Sequence, residues 1–180
     1  MTDSASTPLG TSLPGFLLRD VMDGREYFPA SFAGASGLLV AFICRHCPYV
    51  VHMRDELARV AAEFSAVGLR TIGICSNDAV AYPDDAPDKL REMGLPFPVL
   101  HDETQDVARA FGAVCTPDLF LYDSCGGLFY RGRLDDSSPG NGKPVTGSDL
   151  RRAIHDLLAG APPPAVQFPS IGCSIKWKKK

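Results

Sequence analysis

The chain has 180 residues, 45% of them apolar and 22% charged, with a net charge of −3. That length supports one domain with a full hydrophobic core, and the composition is that of a globular protein rather than a disordered or membrane-spanning one. A pI near 5.8 excludes bulk attraction to nucleic acid, although Lys176, Lys178, Lys179 and Lys180 make a local basic end, read as solvated.

Residues 1–14 are rich in Ser, Thr, Gly and Pro without periodicity and predict a flexible arm. They lack the basic start and apolar run of a secretory signal, so the expected location is cytoplasmic. Phe16–Leu18 and Arg25–Phe28, divided by Asp23-Gly24, predict a hairpin, and Leu38–Ile43 is apolar on both faces, as a central strand should be. After Pro48, Val50, Met53, Leu57, Val60, Phe64 and Val67 recur in steps of three and four, opposite Arg54, Asp55, Glu56, Arg59 and Glu63. This is the pattern of an amphipathic helix, stopped by Gly68. Leu69–Cys75 then predicts a strand parallel to the first, completing a strand-helix-strand unit.

Ser76–Asp88, with Pro83 and Pro87, reads as a loop into a short helix over 88–93. Phe97–Leu100 predicts a strand and Thr104–Phe111 a helix ended by Gly112. Leu119–Tyr122 and Leu128–Arg131 predict an antiparallel hairpin, with Cys125 in its turn, and Cys75 is assigned to the core. Leu150, Ile154, Leu157 and Leu158 line a last helix, expected to be capped by Thr146 or Ser148 and stopped by Gly160. The whole is an α/β fold with a mixed sheet flanked by helices. It comprises an arm (1–14), a domain (15–160) and a proline-opened extended tail (161–180) packed on or near the domain.

Chemistry is concentrated in Cys44-Arg45-His46-Cys47, where the central strand gives way to the helix. A cysteine at a helix start meets unpaired N–H groups and the positive end of the helix dipole, which favour thiolate. Arg45 and protonated His46 are expected to add to this, and Pro48 suits the first helical position. Two intervening residues let the sulfurs reach bonding distance, so Cys44 and Cys47 are the expected redox pair. The competing metal reading needs about four ligands. No second Cys-x-x-Cys is present, although His46, His52, Cys75, Cys115 or Cys173 could add donors; no metal is expected. Thr116-Pro117 precedes an apolar strand, and a residue before such a proline can offer its backbone to an extended chain. Asn77, Asp78 and Thr116 are expected at the rim of the site. No Gly-rich phosphate loop or haem-attachment Cys-x-x-Cys-His occurs, and no cofactor is expected.

The chain resembles the thioredoxin superfamily and, within it, the alkyl hydroperoxide reductase and thiol-specific antioxidant, peroxiredoxin-like branch. Phe42–Val50, Ser76-Asn77-Asp78, Asp102–Gln105, Cys115–Asp118, Tyr130–Gly132, Asp135-Asp136 and Gly172–Lys178 carry the resemblance. It implies a thioredoxin fold with Pro117 as a cis proline beside the dithiol. It also exposes a departure. Counted back from Cys47, the peroxiredoxin threonine and proline positions hold Cys44 and Val40, and Pro117-Asp118 stand where an arginine would, leaving Arg131 or Arg133 to compensate.

The resulting expectation is a thiol-disulfide oxidoreductase with an antioxidant role. Cys44, taken as the more exposed sulfur, attacks, and Cys47 resolves. A peroxidase using Cys47 as nucleophile, a redox sensor or a metal-binding module are the alternatives. Cys115 and Cys173 are accessory-thiol candidates. The expected partners are a disulfide-bearing protein or a hydroperoxide and an electron-donor thiol system, for a monomer or homodimer without nucleic acid or membrane.

Overall fold

The computed structural model describes residues 2–3 and 7–179. Along the chain the first half holds β1 (Thr2–Asp3), β2 (Leu18–Asp20), β3 (Glu26–Tyr27), β4 (Gly37–Phe42), α1 (Pro48–Ser65) and β5 (Leu69–Cys75). The second half holds α2 (Pro87–Arg91), β6 (Val99–His101), α3 (Asp106–Phe111), β7 (Cys115–Thr116), β8 (Asp118–Asp123), β9 (Leu128–Gly132), α4 (Ser148–Leu158) and β10 (Ile171–Ser174).

Seven strands form the main sheet in the order β3-β2-β6-β5-β4-β8-β9. β4–β5 and β5–β6 are parallel and the remaining pairs antiparallel, so the sheet is mixed. Every residue of β4 is buried, as its unbroken apolar run requires. Its side chains divide by alternation. Leu39 and Ala41 enter a core with Met53 and Leu57 of α1 and Ile154 of α4, whereas Leu38, Val40 and Phe42 enter a second core with Val107 and Phe111 of α3. The rings of Phe42 and Phe111 lie 5.3 Å apart at their centroids, edge to face. Burying each such large apolar side chain contributes about 1.5–3 kcal/mol.

The hairpin β2–β3 turns through Gly24, whose φ of +75° is what Asp-Gly predicts. Helix α1 buries Val50, Met53, Leu57, Val60 and Phe64 as its periodicity requires. Val67 lies beyond the helix and is exposed, while Glu56, assigned to the polar face, is buried because Arg151 and Arg59 each bond its carboxylate at 2.7 Å. The start of α4 also differs from expectation. Gly147, not Thr146 or Ser148, occupies the cap, and the carboxylate of Asp135 accepts the N–H groups of Thr146 and Gly147 at 2.7 Å each. A distant carboxylate thus does what a local hydroxyl was expected to do.

A second sheet, β1-β10-β7, forms from the two chain ends and the Cys115–Thr116 segment, with both pairings antiparallel. Within 1–14, Thr2 and Asp3 therefore pair with Gly172 and Ile171, and Ser12 bridges Gly127; Met1 and residues 4–6 lie outside the described residues, as does Lys180. Among the described residues no helix is long and apolar enough to cross a membrane.

Candidate active site

Strand β4 ends at Phe42, and the chain turns through residues 43–47 before α1 begins at Pro48. Cys47 is the N-cap of α1, with Pro48 in the first turn where its missing N–H is harmless. Cys44 lies in the preceding turn, so the helix end acts on the second cysteine rather than the first. Both are free thiols, and both are buried, at 1% exposure for Cys44 and 0% for Cys47. The expectation that Cys44 is the more exposed sulfur is therefore corrected: the Thr116 segment covers the pair.

Thr116 touches both cysteines. Its hydroxyl stands 3.3 Å from Cys44 Sγ, and its carbonyl accepts a hydrogen bond from the Cys47 thiol at 3.1 Å. The peptide bond that follows, Thr116–Pro117, is cis. On the other side of Pro117 lies a cavity of about 200 Å³, whose lining includes Tyr49, His52, Pro117 and Arg133 but neither sulfur. His52 faces this cavity, its Nε2 3.1 Å from Ser137 Oγ.

The thiols share protons. A hydrogen bond from Cys44 holds the Cys47 thiol well below the ordinary range, and the Val50 and Cys173 backbone N–H groups and the Cys173 thiol act in the same direction against burial. That balance also overcomes the Thr116 carbonyl, which favours the protonated form. The same hydrogen bond, burial and the Asp85 carboxylate push Cys44 upward. One member ionises easily and the other stays protonated, as in any tightly coupled pair.

Arg45 and His46, expected to favour thiolate, are both engaged by carboxylates. Arg45 bonds Glu92 at 2.9 Å and faces Asp84 at 3.6 Å. His46 Nδ1 stands 2.6 Å from Asp85 Oδ2, and its ring stacks on Tyr82. Asp85 is the residue of the candidate site that the sequence does not mark. Fully buried, it accepts the backbone N–H of Arg45 at 2.8 Å and of His46 at 3.4 Å, and the Asn77 side-chain amide at 2.8 Å. It holds the Cys-x-x-Cys turn from 40 residues away in sequence, and no local motif marks it. Among the described residues, Cys44, His46 and Asp85 also bring three metal-ligand atoms within 4.8 Å of one another, one short of a tetrahedral donor set.

Both candidate arginines are engaged by carboxylates. Arg131 is buried and bonds Asp118 at 2.8 Å, the Gly112 carbonyl at 2.9 Å and the Thr7 hydroxyl, while Arg133 bonds Asp149 at 2.7 Å. Of the accessory thiols, Cys115 is fully buried and pushed up to about 12 by burial and then by Asp118, which keeps it protonated. Cys75 is likewise buried, and Cys125 is exposed in its turn. Cys173 packs against the core that contains the pair.

Residues 9–131 match the AhpC/TSA family. The chain belongs to that family. Two solved structures resemble this AhpC/TSA protein over nearly its full length. A hypothetical protein of Sinorhizobium meliloti 1021 is 44% identical at a TM-score of 0.97, with 100% of both chains covered. An uncharacterized conserved protein of Geobacillus kaustophilus is 45% identical at 0.96, covering 99% of this chain and 97% of its own. A thiol:disulfide interchange protein of the thioredoxin family from Chlorobium tepidum TLS is 21% identical at 0.63, covering 86% and 99%, and shows that the fold is that of thioredoxin. Comparison with curated proteins returns no match. Membership places the protein among peroxiredoxin-like thiol-redox proteins.

One consequence of the shared protons is measurable. At neutral pH the reduced AhpC/TSA protein should show thiolate absorbance near 240 nm equivalent to one sulfur, lost in Cys47→Ser and moved to higher pH in Cys44→Ala. Because the folded value of Cys47 lies below the unfolded ~8.5, its stabilisation is complete above that pH and disappears as pH falls through the lowered value. A thiolate signal appearing only above pH ~8 would contradict the geometry.

Proposed function

We propose that the protein is a thiol-disulfide oxidoreductase in which Cys47 and Cys44 pass two electrons by forming and breaking one disulfide. The observation that carries this is the placement of Cys47 at the N-cap of α1 with the Cys44 thiol donating to it and Thr116 against both. In the first step the Cys47 thiolate attacks one sulfur of a substrate disulfide, and the departing sulfur takes a proton from solvent. Cys44, relieved of the neighbouring negative charge once Cys47 is bonded, then attacks Cys47, releases the second substrate thiol and leaves the Cys44–Cys47 disulfide. An external dithiol returns the pair to the reduced state.

A second reading, a thiol peroxidase with an antioxidant role, is supported by the depth of the sulfurs, since a hydroperoxide reaches a buried thiolate more easily than a protein disulfide does. Cys47 would attack the peroxide oxygen, releasing an alcohol or water and becoming a sulfenic acid, and Cys44 would condense with it, expelling water. The loss of the peroxiredoxin threonine position to Cys44 and the engagement of Arg131 and Arg133 weigh against efficient peroxide activation.

Equilibration in glutathione buffers, followed by thiol trapping and mass mapping, tests the dithiol. The expected result is a reversible two-electron transition in which Cys44 and Cys47 pair; thiols that stay reduced under all poises would end this reading. Stopped-flow mixing with hydrogen peroxide divides the two: a rate no faster than a free thiol's leaves disulfide exchange alone.

A further inference from the structure

The backbone beside Pro117 is the edge to which an extended partner strand would add. In this protein it is already taken by the chain's own tail. β10 runs antiparallel to β7 with Cys173 opposite Thr116 and Ser174 opposite Cys115. The fit leaves no room for a side chain at Gly172, where a Cβ would fall 2.1 Å from the Thr116 carbonyl oxygen. Beyond β10 the tail is anchored by buried polar groups. Asn77 accepts the Lys176 N–H at 2.8 Å, and Gln105, fully buried, donates to the Lys176 carbonyl at 2.9 Å and accepts the Lys178 N–H at 2.8 Å. The Ser76–Asp78 and Asp102–Gln105 motifs thus serve to seat the tail across the site.

This seating brings a third sulfur to the pair. Cys173 is opposite the residue whose carbonyl touches Cys47, and its thiol and backbone N–H both interact with the Cys47 sulfur. It is half-buried, whereas Cys44 and Cys47 are at 1% and 0% exposure. Burial and then the Cys47 sulfur push the Cys173 thiol up; the second cause is removed when Cys47 enters a disulfide.

We propose that the tail acts as a built-in substrate strand and that Cys173 is a third redox thiol, exchanging with the Cys44–Cys47 disulfide to form Cys47–Cys173. The inference rests on the dithiol reading above. In the exchange the Cys173 sulfur attacks Cys47, the Cys44–Cys47 bond breaks, and the proton lost by Cys173 ends on Cys44. One disulfide replaces another with no net oxidation. The Thr116 hydroxyl, 3.3 Å from Cys44 Sγ, is placed to donate to the departing thiolate. The effect is to carry the oxidised state from a buried sulfur pair to one that an external thiol can attack at Cys173.

The test uses the full chain in a Cys125→Ser background, which removes the exposed turn thiol. Cys44→Ser in that background is equilibrated with oxidised glutathione, alkylated and mapped by mass spectrometry. The expected product is a monomer two hydrogens lighter, with Cys47 bonded to Cys173 in most molecules. Cys47 left bonded to glutathione with Cys173 alkylated overturns the proposal. In parallel, Cys173→Ser is expected to keep a reversible Cys44–Cys47 couple but to be reduced by dithiothreitol at least tenfold more slowly. An unchanged reduction rate overturns the exchange while leaving the dithiol intact. Absence of a Cys44–Cys47 bond in Cys173→Ser overturns the dithiol reading and the exchange with it.

Discussion

Asp118→Leu should lower the unfolding free energy by about 3–5 kcal/mol, the cost of leaving one buried charge without its partner. Asp118 and Arg131 bond at 2.8 Å with side-chain exposures of 0% and 4%, and the guanidinium lies over the Phe120 ring between β8 and β9. Burial pushes the Asp118 carboxyl up to about 6 even against that guanidinium, so desolvation outweighs attraction. The pair is therefore costly to break and of small net value. Arg131→Met added to Asp118→Leu should restore most of the lost stability, and chemical denaturation of the two single variants and the double variant measures the coupling. The titration has a definite sign. With its folded value of about 6 above the unfolded ~3.9, Asp118 contributes its proton-linked stability fully below ~3.9 and loses it as pH rises through about 6. Wild-type stability relative to the double variant should thus fall between pH ~4 and ~7. Additive single-variant effects would show that the two charges do not depend on each other.

The second large effect is expected at Asp85. Asp85→Ala strands the Arg45 N–H and the Asn77 amide, at a cost on the order of 1–3 kcal/mol for each donor left buried and unpaired. Asp85→Asn keeps the shape and separates charge from hydrogen bonding. Because the Asp85 carboxylate pushes Cys44 upward, its neutralisation should let Cys44 ionise at lower pH, while the neutral-pH state with Cys47 ionised and Cys44 protonated is kept. The absorbance of the second thiolate should therefore appear at lower pH in Asp85→Asn than in the wild type. A second thiolate that appears at the same pH or later would mean that Asp85 acts through the geometry of the turn and not through its charge.

These residues mark where the sequence stops being legible. The apolar run of β4, the periodicity of α1 and the Asp23-Gly24 turn are local patterns, and each specified its element because hydrophobic alternation and backbone preference act over a few residues. The Cys-x-x-Cys at the strand-to-helix junction was legible for the same reason, as was the family resemblance that the match over residues 9–131 bears out. Charge assignments near the site were not legible. Arg45 and His46 look like activating cations when read beside Cys44, yet Glu92, Asp84 and Asp85 engage them.

The sequence by itself determined that this is an α/β protein with two cysteines at a helix start, since those facts follow from short-range pattern. Only the tertiary structure decided which cysteine caps the helix, that both sulfurs are buried, that Asp85 holds their turn and that the tail brings Cys173 to them. The last three of these join residues 40 or more positions apart, as Arg45 with Asp85 and Thr116 with Cys173. The physical reason is that a buried carboxylate or a strand edge is satisfied by whichever donor the fold brings within about 3 Å, and sequence distance has no part in that choice.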